Sequence, residues 1–127
     1  MERDRLFLIL AAAGGFLAVL IGAFGAHALE GLGPQRHHWM DTGLKYHFYH
    51  ALALLAVAWA VGRWPRCPAL RRAGWAWVLG VVLFSGSLYL LAYTGQRWLG
   101  AVTPVGGTAF LLGWLLLAWG AWRCGRD

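Results

Sequence analysis

Residues 6–29 read LFLILAAAGGFLAVLIGAFGAHAL, a stretch without a single charged side chain. A helix needs about 20 apolar residues to cross a bilayer core, so this stretch is long enough to span one. Three further charge-free blocks follow at 46–62, 73–96 and 98–122. All 11 basic and 5 acidic residues of the 127-residue chain are thereby confined to the ends and connections. The pattern predicts an all-α fold, an integral membrane four-helix bundle. It forms one transmembrane domain over residues 1–127, with spans at approximately 6–29, 44–62, 74–95 and 104–122. A water-soluble domain, an ordinary secreted protein and a large extramembrane catalytic domain are excluded. The net charge of +6 does not indicate nucleic acid, because the basic residues flank spans rather than form one patch.

Four spans place the N-terminus, the 63–72 connection and the C-terminus on one side. That side carries Arg3, Arg5, Arg63, Arg66, Arg71, Arg72, Arg123 and Arg126, whereas the other carries Arg36, Lys45 and Arg97. The positive-inside rule therefore predicts an N-in/C-in protein of the cell inner membrane, both termini cytoplasmic. Cys67 and Cys124 would then face a reducing compartment and are expected as free thiols without a disulfide. Ala26-His27-Ala28 fits the A-x-A pattern of a signal-peptidase site. The apolar run from Leu6 to Ala26 exceeds the 7–15 residues of a signal core, however, so it is read as a retained span.

Small residues mark helix contacts. Ala11, Gly15, Ala18, Gly22 and Gly25 recur at spacings of three and four in span one, and Gly106, Gly113 and Gly120 fall seven apart in span four. Such seams let backbones approach closely, within the bundle, against a second copy of the chain or against another membrane subunit. Span two has the shortest charge-free block, about 26 Å of helix, and is expected to begin near Gly43. The Gly33-Pro34 break and the polar, aromatic residues 35–39 are expected to form a separate interfacial segment. Thr103 reads as an N-cap before Pro104 at the first helical position. Trp39 and Trp98 are assigned to one interface, and Trp64, Trp75, Trp77 and Trp122 to the other. Trp114 falls mid-span, where its indole N–H needs a partner or faces lipid at some cost.

The chemistry available within the spans is narrow. The acidic residues Glu2, Asp4, Glu30, Asp41 and Asp127 all lie outside the hydrophobic blocks. A carboxylate relay is thereby disfavoured, which makes a small transporter or channel the lesser alternative. Phosphate-binding glycine loops and zinc-type CxxC pairs are missing from the sequence. No catalytic residue is assigned. Histidine is the remaining chemistry: His27 ends span one, His37 and His38 lie in the loop, and His47 and His50 open span two. Ser85, Tyr89 and Tyr93 form a stripe at i, i+4, i+8 in span three. A pocket lined by His27, Tyr46, His50, Ser85, Tyr89 and Tyr93 is sterically reasonable near the outer side. One reading makes it a ligand site for metal or haem through His27 and His50, or for a quinone through imidazole and phenol. The other makes these groups interhelical glue, for which hydrogen bonds of about 0.6–2 kcal/mol suffice. No particular cofactor is indicated.

Four ordered segments carry a family resemblance. Gly22-Ala23-Phe24-Gly25-Ala26-His27, then Tyr46-His47-Phe48-Tyr49-His50-Ala51-Leu52-Ala53-Leu54-Leu55, then Phe84-Ser85-Gly86-Ser87-Leu88-Tyr89, and Thr103-Pro104-Val105-Gly106-Gly107 with Gly113-Trp114 resemble the domain-of-unknown-function 423 family. The resemblance implies a compact multi-span membrane protein of uncharacterised activity, akin to the transmembrane protein 256-like proteins. It carries over to His27, Tyr46, His50, Ser85, Gly86, Tyr89, Thr103, Pro104, Gly106, Gly107 and Trp114, with Gly86 read as a further packing glycine. The family pattern has a different polar residue at the position of His47, which leaves His27 with His50 as the candidate metal pair. The functional expectation is a non-enzymatic structural, assembly or accessory component of the membrane.

Overall fold

The computed structural model describes residues 2–126, so Asp127, counted above among the acidic residues, lies outside the described residues. Four helices alternate in direction: α1 (Glu2–Ala28), α2 (Pro34–Arg63), α3 (Pro68–Thr94) and α4 (Thr103–Cys124). A 3-10 turn, Arg97–Ala101, leads into α4, and α3 contains a π-helical segment at Val81–Ser85. All four spans are long and apolar enough to cross a membrane. Among the described residues there is no strand.

Helix α2 starts earlier than its hydropathy suggests. Gly31 (φ 79°) and Gly33 (φ 95°) turn the chain, and Pro34 opens a continuous 30-residue helix without losing a needed N–H. Residues 35–39 are therefore the first turns of α2 and not a separate interfacial segment. Arg36, within them, donates from Nη1 to the Tyr93 carbonyl at 3.2 Å, next to the left-handed Gly95 (φ 71°) that ends α3. A cation at a helix C-terminus is well placed against the helix dipole. Thr103 likewise does not act as an N-cap: its hydroxyl meets Ser87 Oγ at 2.6 Å and ties α4 to α3.

The interior belongs to α2 and α3, whose most apolar windows are 44% and 39% buried, against 17% and 22% for α1 and the segment containing α4. Close packing of α3 on α4 uses small residues from both. The ring of Phe110 lies over Gly80, the indole of Trp77 over Gly113, Leu70 over Gly120, and the backbone of Phe84 against Gly106. A side chain larger than hydrogen at any of these would overlap its neighbour. Helix α1 meets α2 through Gly14 beside Ala51, Gly22 beside Leu44 and Gly25 beside Met40, and its Phe7 covers Gly74 of α3. Gly15 and Gly86 differ from the other glycines singled out by the sequence, since a Cβ at either would have no atom within 4 Å.

Two further expectations are corrected. Cys67 and Cys124 are joined in a disulfide across 57 residues, because the Pro65–Pro68 connection folds Cys67 beneath the last turn of α4. Trp77 is no interfacial residue: it is fully buried, and its N–H donates to the Phe110 carbonyl at 3.1 Å.

Candidate functional site

Because α2 begins at Pro34, Tyr46 to His50 occupy its thirteenth to seventeenth positions out of 30. They lie roughly 18–24 Å along the helix axis, near its middle rather than in its first turns. There the polar residues divide into two groups on different faces.

The first group surrounds His50. Its Nδ1–H donates to the Tyr46 carbonyl one turn earlier at 2.7 Å, and its Nε2 accepts from the Trp114 indole N–H at 3.1 Å. An indole nitrogen only donates, so this pairing fixes the neutral imidazole with its proton on Nδ1. The ring stacks on Phe110 at 3.7 Å between centroids and 9° between planes, with Trp77 and Trp114 edge-on. Both ring nitrogens are thus engaged, and Trp114 has the partner its mid-span position demands. Beside this cluster a groove of about 370 Å³ opens between α2, α3 and α4, lined by Tyr46, His50, Phe84, Thr108, Phe110 and Trp114, among others. Tyr46 is half-exposed there, its ring 4.8 Å from that of Phe84.

A second group lies between α1, α2 and α3. His47 Nδ1 meets the Tyr89 hydroxyl at 2.8 Å, and the imidazole also makes a backbone interaction with Gly14 of α1. Ser85, fully buried at the end of the π-helical segment, donates to the Gly43 carbonyl at 2.7 Å. Gly43 is the reason Tyr89 fits, since a Cβ there would lie 2.9 Å from the Tyr89 ring. His47 is also the one polar side chain on a second cavity of about 200 Å³, walled by Leu10, Leu17, Leu54, Val78 and Val82 among others. Sequence reasoning favoured His50 over His47 and so missed this grouping. The available signal was a pair of i, i+4 spacings, Gly43/His47 and Ser85/Tyr89, on facing helices.

His27 and His50 are not brought together. His27 is 76% exposed at the end of α1, its Nδ1 3.2 Å from Glu30 Oε1, whereas His50 is 3% exposed in mid-helix. Tyr93 is also peripheral, with its hydroxyl near Gly25. Among the described residues, no group of three His, Cys, Asp or Glu side chains is placed to hold a metal ion. The six residues expected to line one pocket therefore divide among three places.

With this geometry in view, comparison with known proteins is direct. The family described as "Protein of unknown function (DUF423)" matches residues 21–107, from the second half of α1 to the start of α4. The chain belongs to this family. The UPF0382 membrane protein YwdK of Bacillus subtilis is 46% identical over 114 residues, covering 89% of this chain and 93% of that protein. The UPF0382 inner membrane protein YgdD of Escherichia coli is 45% identical over 130 residues, covering 97% and 94%. A UPF0382 membrane protein of Haemophilus influenzae is 42% identical over 118 residues, covering 92% and 94%. No solved structure matches the chain. Membership in DUF423 agrees with a small all-helical membrane protein and points to no defined reaction. The family match includes both polar groups of α2 and α3 but ends before Trp114, the partner of His50.

Proposed function

We propose that the protein is a non-enzymatic accessory or assembly component of the inner membrane, with both termini cytoplasmic. One observation carries this reading. Among the described residues, every buried side-chain nitrogen and oxygen has a hydrogen-bond partner within the chain. A catalytic or cofactor site keeps polar groups in reserve for its ligand, whereas here the imidazoles, hydroxyls and indoles of the interior are already paired with one another or with backbone carbonyls. The surface that remains is apolar. Phe16, Val19 and Phe24 on α1, and Leu111, Leu115 and Trp119 on α4, are more than half exposed. Support for the membrane assignment comes from YgdD, which bears the name inner membrane protein; the eight-to-three arginine and lysine asymmetry supports the orientation, and the Cys67–Cys124 disulfide, at the end so placed in a reducing compartment, weighs against it. The test is the native mass of the protein in mild detergent, with identification of whatever co-purifies after gentle cross-linking in the membrane. A stoichiometric membrane partner is expected. A strictly monomeric species that captures nothing sinks the reading.

A quinone or similar ligand is the second reading, kept because Tyr46 and the edge of His50 line the groove of about 370 Å³. Organic extraction of the purified protein and its absorption spectrum test it. Extractable quinone lost on Tyr46→Phe would favour this reading over the first.

A further inference from the structure

Three arginines at the disulfide end each place a guanidinium over an indole. The Arg63 guanidinium is 5.4 Å from the ring centroid of Trp64, Arg123 is 5.5 Å from that of Trp119, and Arg126 is 5.4 Å from that of Trp122. Stacking occupies the face of a guanidinium and leaves its edge of N–H donors free, in the fork that matches two oxygens of a phosphate. Trp64 also packs against the end of α4, 3.6 Å from the Cβ position of Gly125. The Arg63 stack therefore sits beside the turn that bears Arg123 and Arg126. Beside the Arg63 stack is a cleft of about 380 Å³ rimmed by Arg63, Trp64 and Arg66 and walled by Cys67 and Cys124.

We propose that this cleft binds an anionic phospholipid. The phosphate lies against the guanidinium edges of Arg63 and Arg66, and the acyl chains run along the outward face of α2, where Leu52, Leu55 and Trp59 are 61%, 44% and 65% exposed and the Trp59 ring meets that of Trp64 at 5.7 Å between centroids. Charge selects the occupant: this end carries eight arginines against Glu2, Asp4 and Asp127. The apolar wall selects a lipid over a free anion, because inorganic phosphate makes no use of it. Prolines 65 and 68 stiffen the connection, and the disulfide ties it to α4, so the cleft needs little rearrangement to receive a headgroup.

The experiment titrates the full-length protein in mild detergent with phosphatidylglycerol, phosphatidylcholine or inorganic phosphate, and reads bound lipid by native mass spectrometry. Retention of phosphatidylglycerol over phosphatidylcholine is expected. Each arginine near an anionic lipid is worth about fivefold in affinity, so Arg63→Gln and Arg66→Gln together should weaken binding by about 25-fold. Replacing the same two by lysine keeps the charge, removes the planar fork, and is expected to lose part of the affinity. The comparison variant combines Arg3→Gln with Arg5→Gln and is expected to cost less than Arg63→Gln with Arg66→Gln. Equal loss from the two pairs would mean that binding follows net charge, and the site would fall. So it would if phosphatidylcholine bound equally well, if phosphate alone competed fully, or if the lysine variant matched the parent.

Discussion

Replacing Gly106 by alanine should destabilise the protein, whereas the same change at Gly86, twenty residues away in sequence, should not. A Cβ on Gly106 would meet the backbone of Phe84, with the Phe84 Cα at 2.7 Å. Carbon atoms prefer a separation of about 3.5–4.0 Å, so α3 and α4 must part by roughly 1 Å at this level. A backbone cannot rotate aside as a side chain can. Parting also loosens the indole of Trp77 over Gly113 and Leu70 over Gly120, which share the same seam. A gap of 0.5–1 Å forfeits about a quarter to a half of each dispersion contact. Overpacking of this kind costs about 1–3 kcal/mol, and the helix propensity gained from alanine returns about 0.5–1 kcal/mol. The net expectation is a loss of about 1 kcal/mol. At Gly86 nothing lies within 4 Å, so only the propensity gain of about 0.5–1 kcal/mol remains. Denaturation by SDS from mild micelles, followed by far-UV circular dichroism, measures both. A neutral Gly106→Ala, or equal losses at the two positions, would refute the argument that the α3–α4 seam is closed within the chain.

Three further outcomes are expected. A double-mutant cycle of His50→Phe and Trp114→Phe should give a coupling of about 0.6–1.7 kcal/mol in the same denaturation assay, and additive effects would mean that the 3.1 Å bond contributes nothing. Tyr89→Phe removes the hydroxyl from His47 and leaves a buried ring nitrogen without it, so a loss of about 1–3 kcal/mol is expected; an unchanged midpoint would put the pair outside the stabilising set. Cys67→Ser should abolish the reductant-dependent shift on a non-reducing gel and lower stability by at most about 4 kcal/mol for a 57-residue separation. Parent protein that already behaves as the variant when isolated from the membrane without reductant would show that the link does not form there.

The four spans were legible because charge is the costliest thing to place in lipid, and its absence over four blocks leaves few alternatives. The start of α2 was not. Residues 35–41 include Gln35, Arg36, His37, His38 and Asp41, which read as a loop or surface segment by polarity. Polarity does not prevent a helix from continuing past the membrane surface, and only the positive φ of Gly33 marks its true beginning. The helix thus begins nine or ten residues before the expected start of the span, which places the polar cluster near mid-helix and away from the exposed His27 at the end of α1. The need of Trp114 for a partner was visible from its depth, but the partner was 64 residues away and no spacing rule identifies it. The cysteine pairing was missed for a different reason. Compartment chemistry predicts free thiols, and proximity across 57 residues is a tertiary fact.

How the polar contacts are distributed bears on what kind of component this is. His50–Trp114 joins α2 to α4, Ser85–Gly43 and Tyr89–His47 join α3 to α2, and Trp77–Phe110 and Ser87–Thr103 join α3 to α4. Helices α2, α3 and α4 are thus cross-linked in every pairing, with the disulfide as an additional tie. Helix α1 is held differently, chiefly by Phe7, Ala11, Gly14, Ala18 and Gly25 fitting against small or complementary surfaces, with the His47–Gly14 backbone interaction in addition. Lipid tails solvate apolar side chains as well as a neighbouring helix does, so a helix held by shape alone is favoured only by the quality of its packing. Displacing α1 would therefore cost dispersion contacts and few hydrogen bonds, whereas displacing any of the other three would leave buried polar groups unpaired. With its most apolar window 17% buried, α1 is the helix best suited to exchange lipid contacts for those of a partner, and this asymmetry favours an accessory role over an enclosed reaction site.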